Sequence, residues 1–131
     1  MDTGTCFQAA AGGTGRWLRV FHDSKEVDVR WFGAKNDGTP CTTIVQAVYD
    51  WISATRPFTA STLVFVGGYW NFNLTATSML IDIIGYGNPQ IRPDVTTDPV
   101  ITVHPTILGY AAPLLITGLH FKQDGTQYTG T

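Results

Sequence analysis

Apolar and polar side chains alternate with a period of two from Val27 to Phe32. Val27, Val29 and Trp31 fall on one side and Asp28, Arg30 and Phe32 on the other, the pattern of a β-strand with one packed face. Gly33 and then Asn36-Asp37-Gly38 follow, residues able to take positive φ, so the strand is expected to end in a tight loop. The period then becomes helical. Over 43–54 the apolar positions Ile44, Val45, Val48, Trp51 and Ile52 mostly fall three or four apart, with Thr42 or Thr43 placed to cap the start and Arg56-Pro57 to close the end. One face of this helix must be covered, and Val48 and Trp51 are expected to be buried there. Truncating a buried Trp costs roughly 3 to 5 kcal/mol, so Trp51→Ala is expected to melt the fold.

Beyond the helix, β-rich apolar runs recur at 63–66, 80–84, 100–103 and 114–121, separated by Gly, Pro, Asn and Asp clusters with no further helical period. Their spacing of about 15 to 20 residues is the scale of a solenoid, in which each coil buries its apolar row only against its neighbours. Within 80–84, Ile81 and Ile83 are expected to point inward and Asp82 outward. Before all this, 5–10 and 17–21 flank Ala11-Gly12-Gly13-Thr14-Gly15 and read as two short strands joined by a flexible turn. The expected organisation is an N-terminal arm or short hairpin over 1–26, then a capping helix and first coils over 27–131. The fold class is all-β with one capping α-helix, the start of a parallel β-helix. A small antiparallel β-sandwich also fits short strands and regular turns, but a helix placed before most of the strands favours the capped solenoid.

The central stretch resembles the N-terminal signature of the pectate-lyase-like right-handed parallel β-helix family, as found in phage tailspikes and related polysaccharide-processing proteins. In that family a strand of the type V-N-V-R-W-F-G-A runs into G-D-G and a capping helix rich in I-Q-A. Val27 to Ala34, Asp37-Gly38 and Val45-Gln46-Ala47 are similar to that pattern, and Gly12-Gly13-Thr14-Gly15-Arg16-Trp17-Leu18-Arg19 is similar to the glycine-rich approach that often precedes it. Leu63-Val64-Phe65-Val66-Gly67-Gly68-Tyr69 resembles the strand-turn-Tyr element of the first coil, and Ile81-Asp82-Ile83-Ile84-Gly85-Tyr86-Gly87 the next strand and its turn. Where the family usually has paired acids before the helix, this chain reads Thr39-Pro40-Cys41-Thr42-Thr43 and is shorter, so the signature reads as structural.

The resemblance implies an N-terminal structural and attachment part of a tailspike-like protein, located in the virion tail after synthesis in the host cytoplasm. It also implies a homotrimer or contact with other virion subunits, and recognition of host surface polysaccharide. Catalytic residues of such proteins usually sit on later coils or between subunits. Relative to the family pattern both ends read as cut: Met1 to Thr5 begin inside the arm, and Gln127 to Thr131 offer no closing element.

Composition narrows the partners. With 131 residues, 44% of them hydrophobic, the chain is the size of one domain with a sizeable core. The net charge is −2, and the eight basic residues are scattered, giving no stripe for nucleic acid. No run of about 18 apolar residues exists, and Met1-Asp2-Thr3-Gly4 has no secretory pattern, so a soluble chain without membrane insertion is expected. Cys6 and Cys41 lack metal-type spacing and read as reduced thiols packed as small apolar groups. Asn73-Leu74-Thr75 fits a glycosylation sequon without a secretory context to support it.

Catalytic chemistry is sparse. Glycoside hydrolysis needs two carboxylates about 5 to 10 Å apart, and the candidates are Glu26, Asp28, Asp37, Asp82, Asp94 and Asp98, the last two in a Pro/Thr-rich turn. A lyase would need a base and a cation, for which Arg92 beside Asp94, or His104 and His120, could be drawn together. Nucleophile elbows, phosphate loops and zinc spacings are absent from the sequence, and no cofactor is expected. Gly85-Tyr86-Gly87-Asn88-Pro89 reads as a turn rather than a dinucleotide fingerprint. Tyr69, Trp70, Phe72, Tyr86 and Tyr110 supply flat faces with polar edges suited to sugar rings. The carbohydrate-contact candidates are therefore Tyr69, Trp70, Asp82 and Tyr86, with no catalytic or metal residue assigned. The rival functions are a small polysaccharide lyase or hydrolase acting on its own and a stand-alone carbohydrate-binding module.

Overall fold

The computed structural model describes residues 6–8, 16–18, 25–55, 60–77, 80–95, 97–103 and 114–122. The first two stretches are strands β1 (Cys6–Gln8) and β2 (Arg16–Leu18), paired antiparallel with Cys6 opposite Leu18. β1 lies within the first run expected of the arm, and β2 overlaps the start of the second, beginning one residue before it at Arg16. From β3 onward every pairing is parallel.

The expected first strand is cut short. β3 covers only Glu26–Asp28, and Val29–Phe32 form a 3-10 turn. The cause is Asp28, whose carboxylate accepts the Arg30 backbone N–H at 2.9 Å and so offers the chain a local alternative to the strand ladder. Arg30 returns its guanidinium to the same carboxylate, Nη2 to Oδ2 at 2.6 Å. Gly33, at φ 94°, closes the turn through its N–H to the Arg30 carbonyl. Trp31 and Phe32 are thereby lifted out of the ladder and lean, half-buried, on the core.

After β4 (Asp37–Pro40) comes α1 (Thr42–Thr55), then β5 (Ser61–Val66), β6 (Tyr69–Asn71), β7 (Leu74–Ala76), β8 (Ile81–Tyr86), β9 (Gln90–Arg92), β10 (Ile101–Val103), β11 (Ile116–Thr117) and β12 (His120–Phe121). These strands form three parallel sheets, in the orders β11-β8-β5-β3, β12-β9-β6-β4 and β10-β7. Each pass of the chain therefore lays its first strand on the previous first strand and its second on the previous second. The antiparallel sandwich is excluded for these strands, because every pairing from β3 onward is parallel, which needs crossover connections rather than hairpins. Here β5 skips β6 and β7 to reach β8.

Register explains the burial. Val27, Leu63 and Ile83 stack in one row and Trp70 and Ile91 in another, all fully buried. Ile81 and Ile83 point inward as the alternation predicts, with Asp82 outside. One layer of the core is aromatic. Phe65 lies flat on Phe72, centroids 4.7 Å apart, and meets Trp70 edge-on at 5.3 Å. The corner after each first strand needs left-handed backbone, supplied by Gly67 and Gly68, by Gly87 and Asn88, and by Gly118. Passes approach closely there: a Cβ on Gly68 would meet the Asn36 carbonyl oxygen.

Helix α1 takes the third side of the first pass, where later passes have β7 and β10. It buries Val45, Val48, Tyr49 and Ile52, the i, i+3, i+4, i+7 set. Val48 is buried as expected. Trp51, expected to be buried with Val48, is only half-buried, its ring tilted against Phe32 at 5.5 Å, and Tyr49 and Ile52 are the buried residues of that turn. Thr42 lies inside the helix and caps nothing: its hydroxyl donates to Asp94 Oδ2 at 2.8 Å and accepts the Asn73 N–H at 3.0 Å. Arg56 and Pro57 lie outside the described residues. The free edge of β7 is met by a side chain, since Gln46 accepts the Thr75 N–H at 2.9 Å and donates to the Thr75 carbonyl at 3.2 Å, as a neighbouring strand would. No helix of the described residues is long and apolar enough to cross a membrane.

Candidate functional site

The four residues singled out for sugar contact occupy different places. Trp70 is fully buried, with its Nε1–H donating to the Gly67 carbonyl at 2.7 Å, and is a core residue instead of a contact surface. The alternation in β6 decides this, because the inward rung that Trp70 shares with Ile91 leaves Tyr69 outside. Tyr69 is 51% exposed, in a row with Asp37, Gln90 and His120. Lys122 Nζ stands 5.6 Å over its ring centroid. Asp82 and Tyr86 share the outer face of β8, in a different sheet from Tyr69. Asp82 Oδ1 accepts the Leu115 N–H at 3.0 Å and so fixes the approach to β11. The Tyr86 hydroxyl donates to Glu26 Oε1 at 2.6 Å, and that bond raises the phenol pKa above its usual value. Tyr110 and His104 lie outside the described residues.

Most of the candidate carboxylates are held by hydrogen bonds, several of them from distant parts of the chain. Asp28 caps the 3-10 turn, Glu26 accepts from Tyr86, and Asp94 accepts from Thr42. Asp37 accepts the Thr39 N–H at 2.9 Å, and its pKa is lowered by the bonds from Thr39. Arg92 sits half-buried on β9, two residues before Asp94, and His120 is exposed at the end of the Tyr69 row. Among the described residues no group of His, Cys, Asp and Glu is arranged to hold a metal ion. Cys41 is a buried free thiol whose pKa is raised to about 11, mainly by burial. Its S–H points to the Asn71 carbonyl.

A different feature is concave. Between the first half of α1 and the outer face of the β7-β10 sheet lies a half-open groove of about 440 Å³, lined by Thr42, Gln46, Asn73, Leu74, Thr75, Asp98, Pro99 and Thr102. Its size is that of a small-molecule cleft. Its rim is held by amides. Gln46 is fixed on β7 as described, and Asn73 donates through Nδ2 to the Pro99 carbonyl at 3.0 Å while its Oδ1 accepts the Val95 N–H at 2.7 Å. The same bonds occupy the nitrogen that glycosylation of the sequon would need, so Asn73 is a structural amide. Sequence reading passed over this groove, because Thr75 and Thr102 become neighbours only through the parallel register of β7 and β10.

No protein-family model, no curated protein and no solved structure matches the chain.

Proposed function

We propose that the chain is the N-terminal structural and attachment part of a tailspike-like protein. In this reading it begins a right-handed parallel β-helix, carried in the virion tail, that recognises host surface polysaccharide. The support is the asymmetry of the stack. Helix α1 covers the side of β7 that no strand pairs with, whereas the last strands leave apolar side chains of inward rows in solvent. Val103 is 42% exposed, Ile116 37% and Phe121 57%, although their register partners Ala76, Ile83 and Ile91 are buried. In a stack of this kind each pass is closed by the one above it, and exposed strand edges with apolar rows recruit a partner. In the tailspike reading that partner is further stacked coil, or other subunits in a homotrimer.

Light scattering of the purified chain at micromolar concentration tests the reading. A trimer or a larger defined assembly is expected, and Phe121→Glu should dissociate it while leaving the circular dichroism spectrum of the fold intact. A monodisperse wild-type monomer with a cooperative thermal transition would overturn the assembly reading.

A further inference from the structure

The groove beside α1 presents an unusual combination of free and fixed polar groups. Thr75 and Thr102 stand opposite one another on adjacent parallel strands, on the outer face, because Leu74 and Ala76 take the inward positions of β7. Strand spacing sets the two rungs about 4.8 Å apart. Neither threonine hydroxyl makes a hydrogen bond among the described residues, although the Thr75 backbone N–H and C=O are both taken by Gln46. Asp98, exposed, lines the same groove, and its carboxylate accepts one long 3.5 Å contact from the Thr97 hydroxyl. The walls need no rearrangement, since Gln46, Asn73 and Thr42 are already locked by bonds to Thr75, to Val95 and Pro99, and to Asp94. Such preorganisation reduces the ordering cost of a ligand.

We propose that this groove is a binding site for a neutral saccharide, with the Thr75 and Thr102 hydroxyls and the Asp98 carboxylate engaging vicinal sugar hydroxyls. Rested on the saccharide-recognition reading above, the inference assigns that recognition to this groove and not to Tyr69, Asp82 or Tyr86. The chemistry fits on two counts. Two hydroxyls, each donor and acceptor, set one strand spacing apart, match adjacent ring hydroxyls, and a carboxylate is the strongest acceptor available for a third. Charge decides the ligand class: no Lys or Arg lines the groove, and Asp98 lines it while Asp94 and Asp50 hold the Thr42 hydroxyl and the Gln46 amide of its rim. An anionic sugar would meet like charge there.

The test is an NMR titration of the isotope-labelled chain with methyl glucoside, methyl galactoside, methyl mannoside and methyl glucuronide. At least one neutral glycoside should shift the Thr75 and Thr102 amide and methyl signals and the Gln46 side-chain amide, saturating with a Kd on the order of 1 to 10 mM. Methyl glucuronide should leave them unmoved. The double variant Thr75→Val with Thr102→Val keeps the β-branched shape and should weaken binding about tenfold, with an unchanged thermal midpoint. Shifts centred on Tyr69 or Tyr86 with the groove silent would overturn this site while leaving saccharide recognition standing. Silence towards all four glycosides, or glucuronide binding as tightly as its neutral counterpart, would overturn the proposal itself. Assembly by light scattering is decided separately.

Discussion

Residues 51 and 52 of α1 separate the helix seam read from sequence from the one in the structure. Ile52 is fully buried beneath the helix, whereas Trp51 keeps part of its indole in solvent and touches the tilted Phe32 ring. Ile52→Ala removes three carbons from a site packed on every side, and such truncations cost about 2 to 5 kcal/mol through lost transfer energy and the cavity left behind. Trp51→Ala removes far more surface, but only the covered part counts, and Phe32 can settle towards the gap. A cost of about 1 to 2 kcal/mol follows from partial burial at about 25 cal/mol per Å² plus one aromatic contact. For a domain of this length 1 kcal/mol moves the thermal midpoint by about 3 to 5 °C. Ile52→Ala should therefore lower the midpoint by about 6 to 25 °C and Trp51→Ala by about 3 to 10 °C, with Ile52→Ala the more damaging of the two. Urea unfolding followed by far-ultraviolet circular dichroism, with both variants in one buffer, gives the ranking directly. If Trp51→Ala proved as damaging as Ile52→Ala or more so, the helix would be rotated from the seam described, and Tyr49 could not be its buried neighbour.

Two further outcomes follow from the close passes and the buried thiol. A Cβ on Gly85 would meet the Gly118 carbonyl oxygen and the Pro89 ring, so Gly85→Ala should push the last pass outward at a cost of about 1 to 3 kcal/mol; faster amide exchange in β11 and β12 would register it, and unchanged exchange would refute the contact. Cys41, with its pKa raised to about 11 from 9.0, favours the folded state as the neutral thiol, so its contribution is complete below about pH 9 and fades as pH rises towards 11; in a Cys6→Ser background, alkylation at pH 8 should be at least about a hundredfold slower in buffer than in urea, and equal rates would show the thiol to be exposed.

The parallel architecture was legible where side chains carry it. The long runs around Leu63 and Ile83 announce strands, and their alternation gave the inward Ile81 and Ile83 correctly, because a strand that buries one face must display a period of two. Some of the short strands were not legible, although β10 falls in the run expected at 100–103 and β11 and β12 in the run expected at 114–121. β6, β7 and β9 have three residues each, too few to show a period, and they exist because the neighbouring pass supplies their hydrogen-bond partners. The strand expected to run through Trp31 failed for a local reason: a 3-10 turn capped by Asp28 keeps the same alternating residues but turns them out of the ladder. On the helix, the apolar count favoured Trp51 over Tyr49, although about 200° of rotation around the axis separates the two, which places the phenol ring under the helix and the indole at its edge.

The groove lies on the far side of the same limit. Asparagine and glutamine in turn-rich sequence read as turn formers, yet here Asn36, Asn71, Asn73 and Gln46 all reach across to backbone groups of another pass or strand, at corners where the ladders stop. A side-chain amide carries one donor and one acceptor face, so it can stand in for a missing strand at such a corner. That substitution is what leaves threonine hydroxyls rather than backbone groups as the available polar chemistry beside α1. Backbone edges invite another strand, whereas paired hydroxyls over a carboxylate invite a polyol. By closing the edge of β7 with Gln46, the fold removes a pairing surface from the side facing α1 and leaves hydroxyl chemistry in its place, while β10, β11 and β12 each keep one edge unpaired among the described residues.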